Sequence, residues 1–205
     1  VIPGLRDDAA LLLGFGGNAW NAESMALFLH QHAPDHPVAA FHFRGYAPST
    51  GTPSARALRD DALLIHDHLA PDAAGVIPVG FSIGGGAASY LAARRDVQGL
   101  VLVTPFDSLR NVARDSLPWA PVSWLLRHNM DPLSDLRDTR LRIATIAASN
   151  DEVIGPARAD ALVSGLQSSG RAIVQTARIA AGHNDIYSHP DFPPALRAAI
   201  AHISQ

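Results

Sequence analysis

Cysteine is missing from this chain, which excludes disulfides, thiolate nucleophiles and thiolate-bound metals from its chemistry. Lysine is missing as well, because all 16 Lys/Arg positions are arginine. That removes a phosphate-loop lysine, a pyridoxal Schiff base and any lysine acting as acid or base. No apolar run approaches the ~18 residues that a membrane-crossing helix needs, and no block of like charge occurs. The arginines are scattered and the formal net charge is −3, so no basic field is available to hold a polyanion. Nucleic acid and membrane are therefore not expected as partners. A cytoplasmic location is expected, with a leader removed upstream of Val1 left open. Ser, Thr, His, Asp, Glu and Tyr remain to carry chemistry.

With 205 residues, 47% hydrophobic and 17% charged, the chain can bury a sizeable core, and one domain over residues 1–205 is expected. Short apolar runs bounded by Gly and Pro alternate with longer stretches of helical period. The runs are Ala9 to Leu13, Val38 to Phe43, Val76 to Gly80, Leu100 to Val103, Leu141 to Ala147 and Arg171 to Ala177. They lack polar alternation, as strands covered on both faces do. The helical stretches are Ala22 to Ala33 behind an Asn21 N-cap, Ser54 to Leu69, Ile83 to Arg95, Pro156 to Leu166 and Pro194 to Ile203. This β-α alternation predicts an α/β fold, a doubly wound and mostly parallel sheet whose post-strand loops collect along one edge, where ligands bind. Asn111 to Leu136 breaks the pattern with Trp119, Trp124, Pro118, Pro121 and Pro132. It reads equally well as a small lid and as an irregular helical connection with core aromatics.

Gly80-Phe81-Ser82-Ile83-Gly84 is a G-x-S-x-G sequence directly after one expected strand and directly before an expected helix. In that context a sharp strand-to-helix turn forces its central residue into a strained conformation and pushes the side chain outward. The helix that follows aims its positive end at the same point, which favours negative charge developing there. Gly85 and Gly86 are expected to let that helix pack closely on the sheet. The same pattern also arises by chance in Gly-rich chains, and its placement between strand and helix argues against chance.

A serine hydroxyl needs a base, and the base needs a carboxylate to hold its tautomer. His183, in Ala181-Gly182-His183-Asn184-Asp185 after the last strand, is the candidate base. Asp151, in Ser149-Asn150-Asp151-Glu152-Val153 after the fifth strand, is the candidate acid. Asp107 is the rival, since it follows the fourth strand on the same edge; Asp151 is preferred because its loop precedes the histidine by one β-α unit. Of the ten histidines, His30, His32 and His36 straddle a helix end and Pro34 without metal-ligand spacing. His66 and His68, two apart on a helix, face different directions. No metal site is expected.

Gly14-Phe15-Gly16-Gly17-Asn18-Ala19-Trp20 follows the first strand. Its backbone can offer one amide, at Asn18, to a developing oxyanion, with a second from Ile83. Gly14-x-Gly16-x-x-Ala19 also fits a dinucleotide-binding turn, with Arg44 as a counter-charge for an NADP phosphate. Against that reading, the second strand ends without a ribose-binding acid, and lysine is absent.

Together these segments resemble the α/β-hydrolase superfamily, and within it the Bem46-like and dienelactone-hydrolase-like serine hydrolases, over nearly the whole chain. Gly16-Gly17-Asn18-Ala19 occupies that group's His-Gly-Asn-Ala motif, with Gly16 in place of its histidine. Phe43-Arg44-Gly45-Tyr46-Ala47-Pro48-Ser49-Thr50-Gly51 is similar to its Arg-Gly-Tyr-Gly-x-Ser-x-Gly loop, which by resemblance shapes a pocket wall. Thr104-Pro105-Phe106-Asp107-Ser108-Leu109 is similar to Ser-Pro-Phe-Thr-Ser-Leu, which makes Asp107 a variant of a non-catalytic position. Gly182-His183-Asn184-Asp185 matches the tetrapeptide around the family histidine. The group usually has further strands before the one that feeds the oxyanion loop; here that strand comes almost at Val1, so either the fold is a minimal version or those strands lie upstream, and an open sheet edge is one route to a homodimer.

The resemblance implies a cofactor-free serine hydrolase acting on a small-molecule acyl substrate through an acyl-enzyme, with carboxylesterase as the first expectation. Thioesterase, lactonase, peptidase and cofactor-free haloperoxidase share the same three residues. The rival from another class is a hydrolase fold without activity that serves as a binding or scaffold protein, a reading that Gly16 invites.

Overall fold

A computed structural model describes residues 1–116, 129–171 and 173–205. Six strands form one sheet: β1 Leu11–Phe15, β2 Val38–Ala40, β3 Val76–Phe81, β4 Leu100–Val103, β5 Ile143–Ala148 and β6 Ile173–Ile179. Their spatial order is β2-β1-β3-β4-β5-β6, and every neighbouring pair is parallel. Between them run α1 Ala22–His32, α2 Ala55–Leu69, α3 Gly84–Ala92, α4 Leu109–Ser116, α5 Pro132–Leu136, α6 Pro156–Ser168 and α7 Phe192–Ile203.

Alternation along each strand divides the interior into two cores. Leu12, Ile77, Val79, Phe81, Val101, Val103 and Ile146 face one side, where α1 (Met25, Leu29) and α7 (Phe192, Leu196, Ile200) cover them. Leu11, Leu13, Phe15, Val76, Leu100, Leu102 and Ile143 face the other, beneath α2 (Leu58), α3 (Leu91) and α6 (Leu162, Leu166). Burial on both faces explains why these strands carry apolar residues at consecutive positions. It also fixes register, since a slip of one residue would exchange the two cores.

The expected Asn21 cap is in place, its side chain accepting from Ser24 N–H at 2.9 Å; Ser54, expected as the first helical residue, is itself the cap of α2, its Oγ accepting from Ala57 N–H at 3.0 Å. The second strand is shorter than its apolar run. Its pairing with β1 ends at Ala40, opposite Gly14. Phe41 and Phe43 are instead held by rings, Phe41 edge-on to Phe15 at 5.3 Å and Phe43 edge-on to Tyr46 at 6.1 Å. At the outer side of β2, Ile2 pairs antiparallel with Val38 through bonds of 2.7 and 2.9 Å. The N-terminal segment therefore covers part of the edge that the sequence leaves for a second copy.

The bounds of the irregular stretch are α4 and α5; residues 117–128, with Trp119 and Trp124, lie outside the described residues. Among the described residues no helix is long and apolar enough to cross a membrane.

Candidate active site

The loops that follow β1, β3, β4, β5 and β6 meet at the carboxyl edge of the sheet, as parallel strands with helical crossovers require. Three non-glycine residues with left-handed backbone lie in these loops: Ala19 (φ 58°) after β1, Ser82 (φ 51°) after β3 and Thr104 (φ 46°) after β4. The three strands are adjacent in the sheet. Each such residue costs on the order of 1 kcal/mol, so the sheet holds strained backbone where the loops converge.

Ser82 owes its conformation to the neighbouring glycines. A methyl group on Gly80 would lie 2.6 Å from Gly85 Cα, and one on Gly84 would lie 2.2 Å from the Phe15 carbonyl oxygen. Only glycine lets β3 turn into α3 this tightly against β1. The turn is pinned by Ser82 N–H donating to the Val103 carbonyl of β4 at 3.0 Å. Gly85 approaches Leu102 of the sheet, as expected, but Gly86 does not face the sheet. A methyl there would meet Met130 Sδ at 2.7 Å, so Gly86 admits the chain leading into α5.

The imidazole of His183 reaches both partners that the sequence assigns to it. Its Nε2 is 3.1 Å from Ser82 Oγ, and its Nδ1 is 2.7 Å from Asp151 Oδ2. A carboxylate can only accept, so Nδ1 carries the proton and Nε2 is left to accept from the serine hydroxyl. Asp151 and His183 are 7% and 5% exposed. The other oxygen of Asp151 accepts from Val153 N–H at 3.0 Å and Ile154 N–H at 2.8 Å. Burial by itself raises the Asp151 carboxyl. The bond from His183 and the two backbone N–H groups outweigh it and hold the group below the ordinary carboxylate value.

Asp107 is placed elsewhere. Its carboxylate pairs with Arg158 at 3.4 Å and accepts from the Asn111 side chain at 2.5 Å. It ties α4 to α6 and has no bond to His183.

Gly17, Asn18, Trp20, Ser82, Val153, His183, Asn184 and Tyr187 line a cleft of about 450 Å³. Asn18 thus stands beside Ser82, and Tyr46 of the Phe43-to-Gly51 loop donates its hydroxyl to Asn18 Oδ1 at 2.9 Å. Ile83 follows Ser82 at the N-cap of α3. Among the described residues neither the Asn18 nor the Ile83 amide donates to a protein acceptor. Trp20, Phe81 and Tyr187 form an aromatic wall with ring centroids 5.0 to 5.9 Å apart. Burial raises the Tyr187 phenol, partly offset by its bond to Thr104.

Trp20, Tyr187 and Glu152 were not singled out by the sequence. Tyr187 could have been found four residues beyond His183, on the short 3-10 turn Asp185–Ser188. The dinucleotide reading fails on geometry: Gly14 lies inside β1 and α1 begins at Ala22, beyond Ala19, so the motif does not open a helix. Two of the three histidines near Pro34 have local partners. His36 Nδ1–H donates to the Ala10 carbonyl at 2.8 Å, and His32 packs edge-on against Phe28. Among the described residues no group of three or more His, Asp or Glu is placed to hold a metal ion.

The model of a family described as the alpha/beta hydrolase family matches residues 2–203. The chain belongs to the alpha/beta hydrolase family. This alpha/beta hydrolase is 29% identical over 174 residues to an uncharacterised protein of Mycobacterium tuberculosis, a match covering 82% of this chain and 61% of the relative. The chain therefore spans about six-tenths of the length of that curated relative. Among solved structures it is similar to a lipase-esterase related protein of Clostridium acetobutylicum (TM-score 0.75, 12% identity, 97% of each chain covered). It is also similar to acyl-protein thioesterase 2 of Zea mays (TM-score 0.68, 15% identity, covering 99% of this chain and 97% of the other). At these identities the structural likeness establishes the fold.

Proposed function

We propose that this alpha/beta hydrolase is a serine hydrolase that cleaves ester or related acyl bonds through an acyl-enzyme, with small-acyl carboxylesters as its substrates. The observation that carries the proposal is the continuous hydrogen-bonded line from Ser82 Oγ through the His183 ring to Asp151, open to a cleft. In the proposed first step Ser82 Oγ attacks the acyl carbon while its proton passes to His183 Nε2. The carbonyl oxygen takes up the negative charge and is met by the N–H groups of Asn18 and Ile83 and by the positive end of α3. His183 then gives its proton to the leaving oxygen, and the carbon–oxygen bond breaks. A water molecule, deprotonated by the same nitrogen, releases the acid and restores the serine. Asp151 keeps its charge throughout and stabilises the imidazolium formed in each half.

The cleft supports the choice of substrate. Its lining holds the aromatic rings of Trp20 and Tyr187 and no arginine, which suits an uncharged acyl group better than an anionic one. Ser82→Ala should reduce hydrolysis of p-nitrophenyl acetate to near background and abolish labelling by a fluorophosphonate probe. Equal turnover in wild type and variant would overturn the proposal. A wild-type protein that neither turns over esters nor takes the label would favour a binding or scaffold role instead.

A further inference from the structure

The loop that supplies Asp151 grips the candidate base twice. Besides the bond from Asp151 to the ring, the next residue, Glu152, accepts the backbone N–H of His183 through Oε2 at 3.1 Å. From this geometry we infer that Glu152 is a positioning residue for the proposed reaction: its carboxylate fixes the main chain at residue 183 so that Nε2 stays aimed at Ser82. The inference rests on the serine-hydrolase reading.

Two neighbouring features agree with it. The bond requires space beside the chain that leads into His183, and Gly182 leaves that space. A methyl group on Gly182 would lie 3.0 Å from Glu152 Oε2 and 3.0 Å from Asp185 Oδ2, closer than side-chain carbons normally approach oxygen. The backbone of the two loops is also joined lower down, where Ser149 N–H donates to the Ile179 carbonyl at 2.8 Å and Asn150 N–H to the Ala181 carbonyl at 3.1 Å. The ladder thus runs up to residue 181 by main chain alone. Its last rung, at residue 183, is made by a side chain. Glu152 is an exposed residue, so the bond is formed without removing a charge from water. What it restricts is rotation of the peptide that carries the imidazole.

The experiment measures p-nitrophenyl acetate kinetics and backbone amide exchange at His183 in wild type, Glu152→Ala, Glu152→Gln, Gly182→Ala and the Glu152→Ala/Gly182→Ala double variant. Misaiming a base by a fraction of an ångström costs roughly ten- to a hundredfold in rate, so Glu152→Ala should lower kcat by that factor with KM within about twofold. Exchange of the His183 amide should rise at least about tenfold, the amide having lost its acceptor. Glu152→Gln keeps an accepting oxygen and should recover most of the kcat. Gly182→Ala should lower kcat in the same direction by a smaller factor, and should add less once Glu152 is alanine, because the contact with Glu152 is then already gone and only the approach to Asp185 remains.

Glu152→Ala with kcat within twofold of wild type would overturn the inference. So would a loss confined to KM, or unchanged exchange at His183. If Glu152→Ala does not fold, Glu152→Gln and Gly182→Ala decide by the same readouts. If the wild type hydrolyses no ester and takes no fluorophosphonate label, the serine-hydrolase reading fails, while amide exchange still reports whether Glu152 holds residue 183.

Discussion

Asp151→Asn separates what this carboxylate does in the proposed chemistry from what it does for the loop. Asp151 makes three bonds: Oδ2 to His183 Nδ1 at 2.7 Å, and Oδ1 from the N–H groups of Val153 and Ile154 at 3.0 and 2.8 Å. An asparagine in the same rotamer keeps its oxygen on the two backbone donors, so the loop retains its shape. Its NH₂ then faces Nδ1, which must become an acceptor, and the ring proton moves to Nε2, 3.1 Å from Ser82 Oγ. In that tautomer the imidazole cannot accept the serine proton. The expected loss is about ten-thousandfold in kcat, equivalent to about 5 kcal/mol on the barrier. The assay pairs p-nitrophenyl acetate turnover with a thermal melt. The melt should move by only a few degrees, because the backbone bonds survive. Asp107→Asn is the control. It weakens the pairing with Arg158 and should lower stability by about 1 to 3 kcal/mol while leaving kcat within about threefold. A kcat for Asp151→Asn within tenfold of wild type, or a collapse of kcat in Asp107→Asn alone, would refute the assignment.

Other expectations follow from geometry already described. Gly80→Ala should destabilise by about 3 kcal/mol, because its methyl meets backbone at 2.6 Å, whereas Gly86→Ala should cost less, because its methyl meets the flexible Met130 side chain; urea unfolding of both variants checks the order. The depressed Asp151 carboxyl means that near its titration the native state binds fewer protons than the unfolded chain, so stability rises with pH there. This contribution is fully present above the unfolded value of about 3.9 and is lost as pH falls through the native value. The difference in unfolding free energy between wild type and Asp151→Asn should therefore shrink as pH falls below the unfolded value of about 3.9, and a difference that grew there would contradict the bond pattern.

Strands β1, β3, β4 and β5 were legible because burial on both faces leaves apolar runs that few other structures require. The strand-to-helix turn at Ser82 was legible because Gly80 and Gly84 answer to backbone atoms at 2.6 and 2.2 Å, and no other residue meets that demand. Position along the chain sufficed to prefer Asp151 to Asp107. Where the prediction erred, tertiary packing had overridden local pattern. Phe41 and Phe43 continue the apolar run of β2 but are drawn into ring contacts, and Gly86 yields to Met130 rather than to the sheet. Glu152 was invisible for a different reason. Its partner is a main-chain N–H 31 residues away, and a backbone donor leaves no mark in the identity of the residue that carries it.

Left-handed backbone at Ala19, Ser82 and Thr104 has an evolutionary corollary. A lineage screened for heat resistance alone, with turnover ignored, would relax these positions first, exchanging Ala19 and Thr104 for Gly or Asn, which occupy that conformation at lower cost. Such descendants would outlast their parent in a melting assay and, under the proposed chemistry, lag behind it in a reaction vessel, because the loops around Ser82 would lose the shape that the strain maintains.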